Sequence, residues 1–384
     1  MAIWIIIMLT AIAVFIAAVV YSSSKIPKLL PFAALSKWGR YKRFSLGLLM
    51  ILCTIGTLTL CLDFVNALVC IVSLAMIWGA ADFVFWLTEK IARTTFRFYY
   101  AGWTALAITA VYLGTGWYLD HHVWQTDYEL NTDKDIPDFK IAMLADVHLG
   151  TTFDADGFAK HLKTIEAQNP DILVVVGDYV DDGTSKAEMI KASQALGKIK
   201  TRHGVYFVFG NHDKGYYGPE YRGFSAQELI DELKNNGIVV LRDEPVLIDN
   251  SFYIIGRKDL STVKELHGSR LSMNDLTGNL DKNKYMIVLD HQPADFENQA
   301  SSEADLVLCG HTHGGQLFPF NQVGKWIGAN DLVYGHEKRN KTDFIVTSGI
   351  SDWAIKFKTG TKSEFVIIDI GKTNKRHNMQ KELK

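Results

Sequence analysis

Cysteine is scarce in this chain: four in 384 residues, at positions 53, 61, 70 and 309. Cys53, Cys61 and Cys70 lie in apolar runs and Cys309 ends another, so they read as dry, unpaired thiols rather than a disulfide framework. An excess of base is missing too. Lys and Arg total 40 against 42 Asp and Glu, a formal net charge of −2, so no basic field points to nucleic acid. The first 21 residues carry no charge at all, and with it they lack the basic start of a cleaved secretory signal.

What is present divides into two unlike parts. Residues 1–120 are mostly apolar and aromatic, and the remainder has ordinary globular composition. A bilayer core takes roughly 20 apolar residues per helix. Four stretches qualify, 1–21, 44–62, 64–87 and 99–119, with only Asp63 between the second and third, which predicts a tight hairpin. The expected organisation is a membrane domain with about four transmembrane helices over 1–120, a linker over 121–138, a soluble domain over 139–372 and a polar tail over 373–384.

Lys25, Lys28, Lys37, Arg40, Lys42 and Arg43 follow the first stretch, and Lys90, Arg93 and Arg97 follow the third. By the positive-inside rule both linkers are cytoplasmic, which makes a multi-pass cell-membrane protein with its soluble domain on the extracytoplasmic side. An acid within a span is a candidate functional site, but Asp82 lies near the cytoplasmic end of its stretch, where reaching the interface or pairing with Lys90 or Arg93 is the favoured expectation.

The soluble part alternates short apolar runs with helical patterns. Strands are expected at 139–145, 172–177, 205–210, 252–256, 285–290, 305–310, 344–348 and 365–370, and helices at 155–168, 185–200 and 225–235. Near-continuous apolar strands imply sheets covered on both faces, an α/β layered fold. The residues after these strands carry the chemistry. Asp146-Val-His148 follows the first, Gly177-Asp178-Tyr-Val-Asp181 ends the second, Gly210-Asn211-His212-Asp213 the third, Asp290-His291 the fifth and Gly310-His311-Thr-His313-Gly-Gly-Gln316 the sixth. Sites in open α/β folds gather at carboxyl ends of strands. Imidazole, carboxylate and amide without thiolate suit Mn, Fe or Zn in a working site rather than a structural zinc.

This ordered set resembles the calcineurin-like metallophosphoesterase superfamily over about residues 139–370. It is most similar to the bacterial branch typified by the YkuE protein, whose transmembrane members resemble the N-terminal part as well. The resemblance implies a four-layer α/β/β/α sandwich and two divalent metal ions. Asp146, His148, Asp178 and His313 would hold the first ion, and Asp178, Asn211, His291 and His311 the second, with Asp178 bridging. Hydroxide between the ions would attack phosphorus in line. His212 would face the leaving group, Asp213 would orient its imidazole, and Asp181 would support the ligand loops. Two departures stand out: Asp290 before His291, expected to hydrogen-bond that histidine, and Lys356 where relatives often carry Arg, a candidate contact for phosphate.

The substrate is less legible. Residues 214–224 hold three Tyr and a Phe, which fits either a rim for an apolar substrate or a packed loop. Membrane anchoring favours a phosphoester near the bilayer, such as a phospholipid, a lipid-linked sugar phosphate or an envelope polymer. Two alternatives stay open: a pyrophosphatase of the UDP-diacylglucosamine type at the cytoplasmic face, and a catalytically silent membrane sensor of the same fold.

Overall fold

The computed structural model describes residues 2–29 and 37–372; the polar tail expected at 373–384 lies outside the described residues. The chain divides into two compact units, Met1–Trp117 and Tyr118–Lys384.

Helices run over Ala2–Lys25, Arg40–Cys61, Phe64–Ala92 and Tyr100–His121. Among the described residues, three stretches are long and apolar enough to cross a membrane: Leu9–Lys28, Arg40–Cys61 and Phe64–Ala92. The fourth expected span is a helix as well, but its Thr, Gly, Trp and Tyr keep it below that hydropathy. The expected hairpin at Asp63 has a local cause. Its carboxylate accepts from the Asn66 backbone N–H at 2.8 Å and from Asn66 Nδ2 at 2.7 Å, capping the third helix. Asp82 corrects its expectation. It does not turn to Lys90 or Arg93, the nearer of which lies ~12 Å further along the helix axis. Instead it accepts from Tyr21 Oη at 2.7 Å and Tyr99 Oη at 2.6 Å, and pairs with Lys25.

The second unit holds two six-stranded sheets. In the first, β1 (Trp124–Thr132), β12 (Glu364–Lys372), β2 (Phe139–Leu144), β3 (Ile172–Val176), β4 (Val205–Val208) and β5 (Val239–Val240) lie in that order. In the second the order is β10 (Gly335–Arg339), β11 (Thr342–Val346), β9 (Leu306–Cys309), β8 (Tyr285–Leu289), β7 (Phe252–Gly256) and β6 (Glu244–Ile248). The pairs β2–β3–β4 and β7–β8–β9–β11 are parallel, while β12–β2, β6–β7 and β10–β11 are antiparallel.

Strand alternation makes the layers. Ile141, Met143, Val174 and Ile368 of the first sheet meet Ile254, Ile287, Leu289 and Leu308 of the second in one dry core. The opposite face of the first sheet, with Leu144, Val175 and Phe207, packs under helices that contribute Phe158, Met189 and Leu229. The opposite face of the second, with Met286, Val288 and Val307, packs under Phe296 and Leu276. The result is the expected α/β/β/α sandwich.

The edges depart from the sequence reading. Residues 121–138, expected as a linker, contain the nine-residue β1, paired in parallel with β12 from Trp124↔Glu364 to Thr132↔Lys372. Strands β1, β6 and β10 were not expected because each is an edge strand. One side of β1 is exposed, β6 carries Pro245, and β10 reads Gly-His-Glu-Lys-Arg with no apolar residue.

Candidate metal centre

The carboxyl ends of β2, β3 and β4 in one sheet, and β8 and β9 in the other, deliver their polar residues to a common place. Among the described residues three groups of donors form there, each with its ligand atoms within 4.8 Å of one another: the expected ligands Asp146, His148 and His313, the expected ligands Asp178, His291 and His311, and beside them His148, Asp181 and His212. Asp146, His148, Asp178, His311 and His313 all have positive φ, between 38° and 74°. A non-glycine residue adopts that conformation at a cost of order 1–3 kcal/mol, which persists only where surrounding structure enforces it.

Asp178 links the groups. Its Oδ2 lies 3.0 Å from His291 Nε2 and 3.7 Å from His148 Nε2, while Oδ1 accepts from the His212 backbone N–H at 2.8 Å. The other ring nitrogens are committed elsewhere. His291 Nδ1 donates to Val176 O at 2.8 Å and His313 Nδ1 to Ser351 O at 3.2 Å, so both rings turn Nε2 inward. His313 Nε2 and His148 Nε2 face each other at 3.2 Å. Asp146 accepts the His311 backbone N–H on both oxygens, at 2.9 and 3.0 Å. Close approach of the strands requires glycine: a Cβ on Gly210 would lie 2.2 Å from Asp178 Oδ1.

Charge and orphaned atoms test whether cations fit. Burial alone would raise the Asp178 carboxyl, but His291, His212 and His148 hold it well below the usual carboxylate range. Burial pulls the His291 ring down, yet Asp178 and Asp146 hold it well above its ordinary value. Burial and the His291 charge push His311 down to about 4, and burial with His148 and Lys358 pushes His313 well down. The Asp178 carboxylate is thus held ionised by positive charge beside it, burial raises the Asp146 carboxyl for want of such charge, and the His311 and His313 rings keep a free lone pair for a cation. Asn211 gives the sharper observation. Its Nδ2 donates to Tyr216 Oη at 2.9 Å, while its Oδ1 is buried without a hydrogen-bond partner. A buried amide oxygen left unpaired is costly unless a cation takes it. The seven residues fit divalent ions.

Beside this centre the structure exchanges two roles. Asp213 does not touch the His212 ring, contrary to expectation. Its carboxylate is fully buried and accepts four backbone N–H groups, from Gly210, Asp178, Tyr179 and Val180, at 2.8 to 3.1 Å. It ties together the loops after β3 and β4. Asp181 is the carboxylate at the imidazole, its Oδ1 3.0 Å from His212 Nδ1 and its Oδ2 3.4 Å from His148 Nδ1. Burial lowers the His212 pKa, but the bond to Asp181 and the charges of Asp178 and Asp181 leave it raised.

Other expectations are also corrected. Asp290 turns away from His291, toward Arg257 Nη1 at 3.0 Å, Gln299 Nε2 at 2.7 Å and Arg270. Lys356, the candidate phosphate contact, is half-buried, and the fully buried lysine of the 348–363 loop is Lys358. Its Nζ donates to Ser348 O, Ser351 O and Ser363 Oγ at 2.8 to 2.9 Å, fixing the carbonyl that holds His313. No spacing in the sequence marked Lys358. The 214–224 loop is split between the two readings left open for it: Arg222 and Phe224 are buried, while Tyr216, Tyr217 and Tyr221 are exposed.

Known proteins are similar to this chain over the same residues. The family model for calcineurin-like phosphoesterase matches residues 139–315. A metallophosphoesterase of Aquifex aeolicus is 35% identical over 215 residues, covering 54% of this chain and 77% of that protein. The chain belongs to the calcineurin-like metallophosphoesterase family. A metallophosphoesterase of Campylobacter jejuni is 31% identical over 62% of this chain, and a Bos taurus "transmembrane protein with metallophosphoesterase domain" is 28% identical over 59%. The chain spans 62% and 51% of those two relatives' own lengths. As a calcineurin-like metallophosphoesterase the protein belongs to a family that generally uses two divalent metals. The match ends at residue 315, directly after His313 and its two glycines.

Proposed function

We propose that the protein is a membrane-anchored, dinuclear-metal phosphoesterase that hydrolyses a phosphate ester or diphosphate. The observation that carries this is Asp178, one carboxylate shared between two groups of nitrogen and oxygen donors. Asp146, His148, Asp178 and His313 would hold one ion, and Asp178, Asn211, His291 and His311 the other. When bound, the pair of ions would supply charge to the nonbridging phosphate oxygens and make water a competent nucleophile near neutral pH. The chain does the rest. Asp178 fixes the spacing of the two halves, and the Asn211 oxygen adds a ligand without further neutralising charge. His212, held at Nδ1 by Asp181, presents Nε2 as the proton donor to the departing oxygen. Asp213 serves as a positioning residue, holding the backbone of Gly210 and Asp178–Val180 in place.

The test uses purified full-length protein with Mn²⁺ and two water-soluble esters, p-nitrophenyl phosphate and bis-p-nitrophenyl phosphate. Turnover of at least one, lost on chelation and restored by added ion, is expected. No turnover of either with two ions bound per chain would sink the reading.

The same proposal places the catalytic unit on the extracytoplasmic side with four passes. Support comes from the basic residues at 25–43 and 90–97, which fall at the helix ends and connections on one side of such a chain. A phosphatase reporter fused after Lys384 should be active outside the cell. Activity of a cytoplasm-dependent reporter at the same position would reverse the orientation.

A further inference from the structure

Directly after the loop that carries His311 and His313, the fold leaves an apolar segment uncovered. Within residues 317–328, Phe318, Phe320, Val323, Trp326 and Ile327 are exposed, the last two by 71% each. Folded domains bury most side chains of this kind, and a cluster of them on the surface marks an interaction site. The segment is not a loose loop. The Phe318 N–H donates to Thr359 Oγ1 at 3.0 Å, and the Thr359 and Gly360 N–H groups donate to Gln316 O at 2.8 and 3.0 Å. The Asn321 backbone lies so close to Gly315 that a Cβ there would meet its oxygen at 1.9 Å. Gly315 stands two residues from His313, so the segment is fastened to the metal-site loop itself.

The apolar surface has a counterpart at the catalytic histidine. Trp353 is half-exposed, its ring 5.0 Å from His212, and its carbonyl accepts from Gln316 Nε2 at 3.4 Å. Gln316 is the residue from which the exposed segment starts. A substrate reaching His212 thus passes aromatic side chains, with more apolar surface beginning beside them.

The occupant follows from the rest of the chain. Among the described residues, three helices are long and apolar enough to cross a membrane, the last ending at Ala92, and β1 begins at Trp124. In the four-pass reading the helix Tyr100–His121 spans as well, and only His122 and Val123 separate it from β1, so short a covalent tether that the phosphoesterase unit stays near the bilayer. Phe, Trp and Ile beside a lysine, here Lys325, are the side chains that settle at a membrane interface. We propose that residues 317–328 form a bilayer-docking lip of the metal centre, and that the phosphate ester cleaved there is carried by a membrane lipid. The lipid would keep its chains in the bilayer while its phosphate reaches the ions, so the lip replaces extraction of the whole molecule into water. This inference rests on the phosphoesterase reading above.

The test places one full-length chain per lipid nanodisc, with Cys53 and Cys61 changed to Ala. A spin label at Ile327→Cys should be shielded from a water-soluble nickel relaxant and open to oxygen, whereas one at Lys163→Cys on the helix Ala155–Glu166 should be open to nickel. Shielding that appears only when several chains share a disc would assign the patch to a second copy and overturn the proposal; nickel access at both positions would overturn it as well. In parallel, discs containing phosphatidic acid, phosphatidylglycerol or undecaprenyl diphosphate are assayed. At least one should be hydrolysed, and the triple variant Phe318→Ser, Trp326→Ser, Ile327→Ser should lose about tenfold or more on it, with bis-p-nitrophenyl phosphate unchanged within about twofold. Hydrolysis of the soluble ester with none of the three lipids cleaved overturns the lip and leaves the phosphoesterase standing. Equal loss on both kinds of substrate points to damaged folding around His313 and also counts against the lip. Failure on both p-nitrophenyl phosphate and bis-p-nitrophenyl phosphate as well falls on the phosphoesterase reading itself.

Discussion

Asp178→Asn is expected to lower turnover by about a thousandfold or more, ~4 kcal/mol of barrier, and to release both ions together. The substitution is close to isosteric. An Asn oxygen can still accept the His212 backbone N–H that Asp178 takes at 2.8 Å, so the loop after β4 keeps its anchor. What disappears is the negative charge facing His291 and His148 at 3.0 and 3.7 Å. Metal content by mass spectrometry separates this from misfolding. Loss of one ion with the other retained would show that Asp178 does not bridge.

His212→Ala is expected to act the other way round: both ions stay, and turnover falls by two to four orders of magnitude, about what a positioned proton donor contributes. The loss should be smaller for substrates whose leaving group is already acidic, such as p-nitrophenol, because such a group departs without a proton. Asp181→Asn should follow the same leaving-group trend more weakly, since it acts through the His212 ring at 3.0 Å. An equal loss on good and poor leaving groups would remove His212 from that role. So would loss of an ion, which would make it a ligand.

The strand ends carried most of the legible information. Asp146, His148, Asp178, His291, His311 and His313 each sit within a few residues of an apolar run, and a parallel sheet brings such positions to one edge. The sequence misled where neighbours along the chain were taken as neighbours in space. Asp213 follows His212 and Asp290 precedes His291, yet both pairs lie beyond the ends of β4 and β8, in turns where adjacent side chains find different partners. Asp213 therefore meets the backbone of the β3 loop, and Asp290 meets Arg257 behind the second sheet. The carboxylate that reaches His212 comes instead from Asp181, on another strand end. Edge strands were illegible for a related reason. With one ladder side and one face in water, β1 and β10 need few apolar residues, and the alternation that reveals a strand fades.

Each of the two donor groups draws on both sheets: Asp146 and His148 with His313, and Asp178 with His291 and His311. The consequence concerns timing. During synthesis the first sheet's ligands emerge long before the second's, the Asp146 carboxylate waiting for a His311 amide 165 residues away. Contacts so distant along the chain form late, after costly loop closure. No nascent or truncated chain that stops before His291 can assemble either group, so both candidate metal sites arrive only with the later strands of the sandwich.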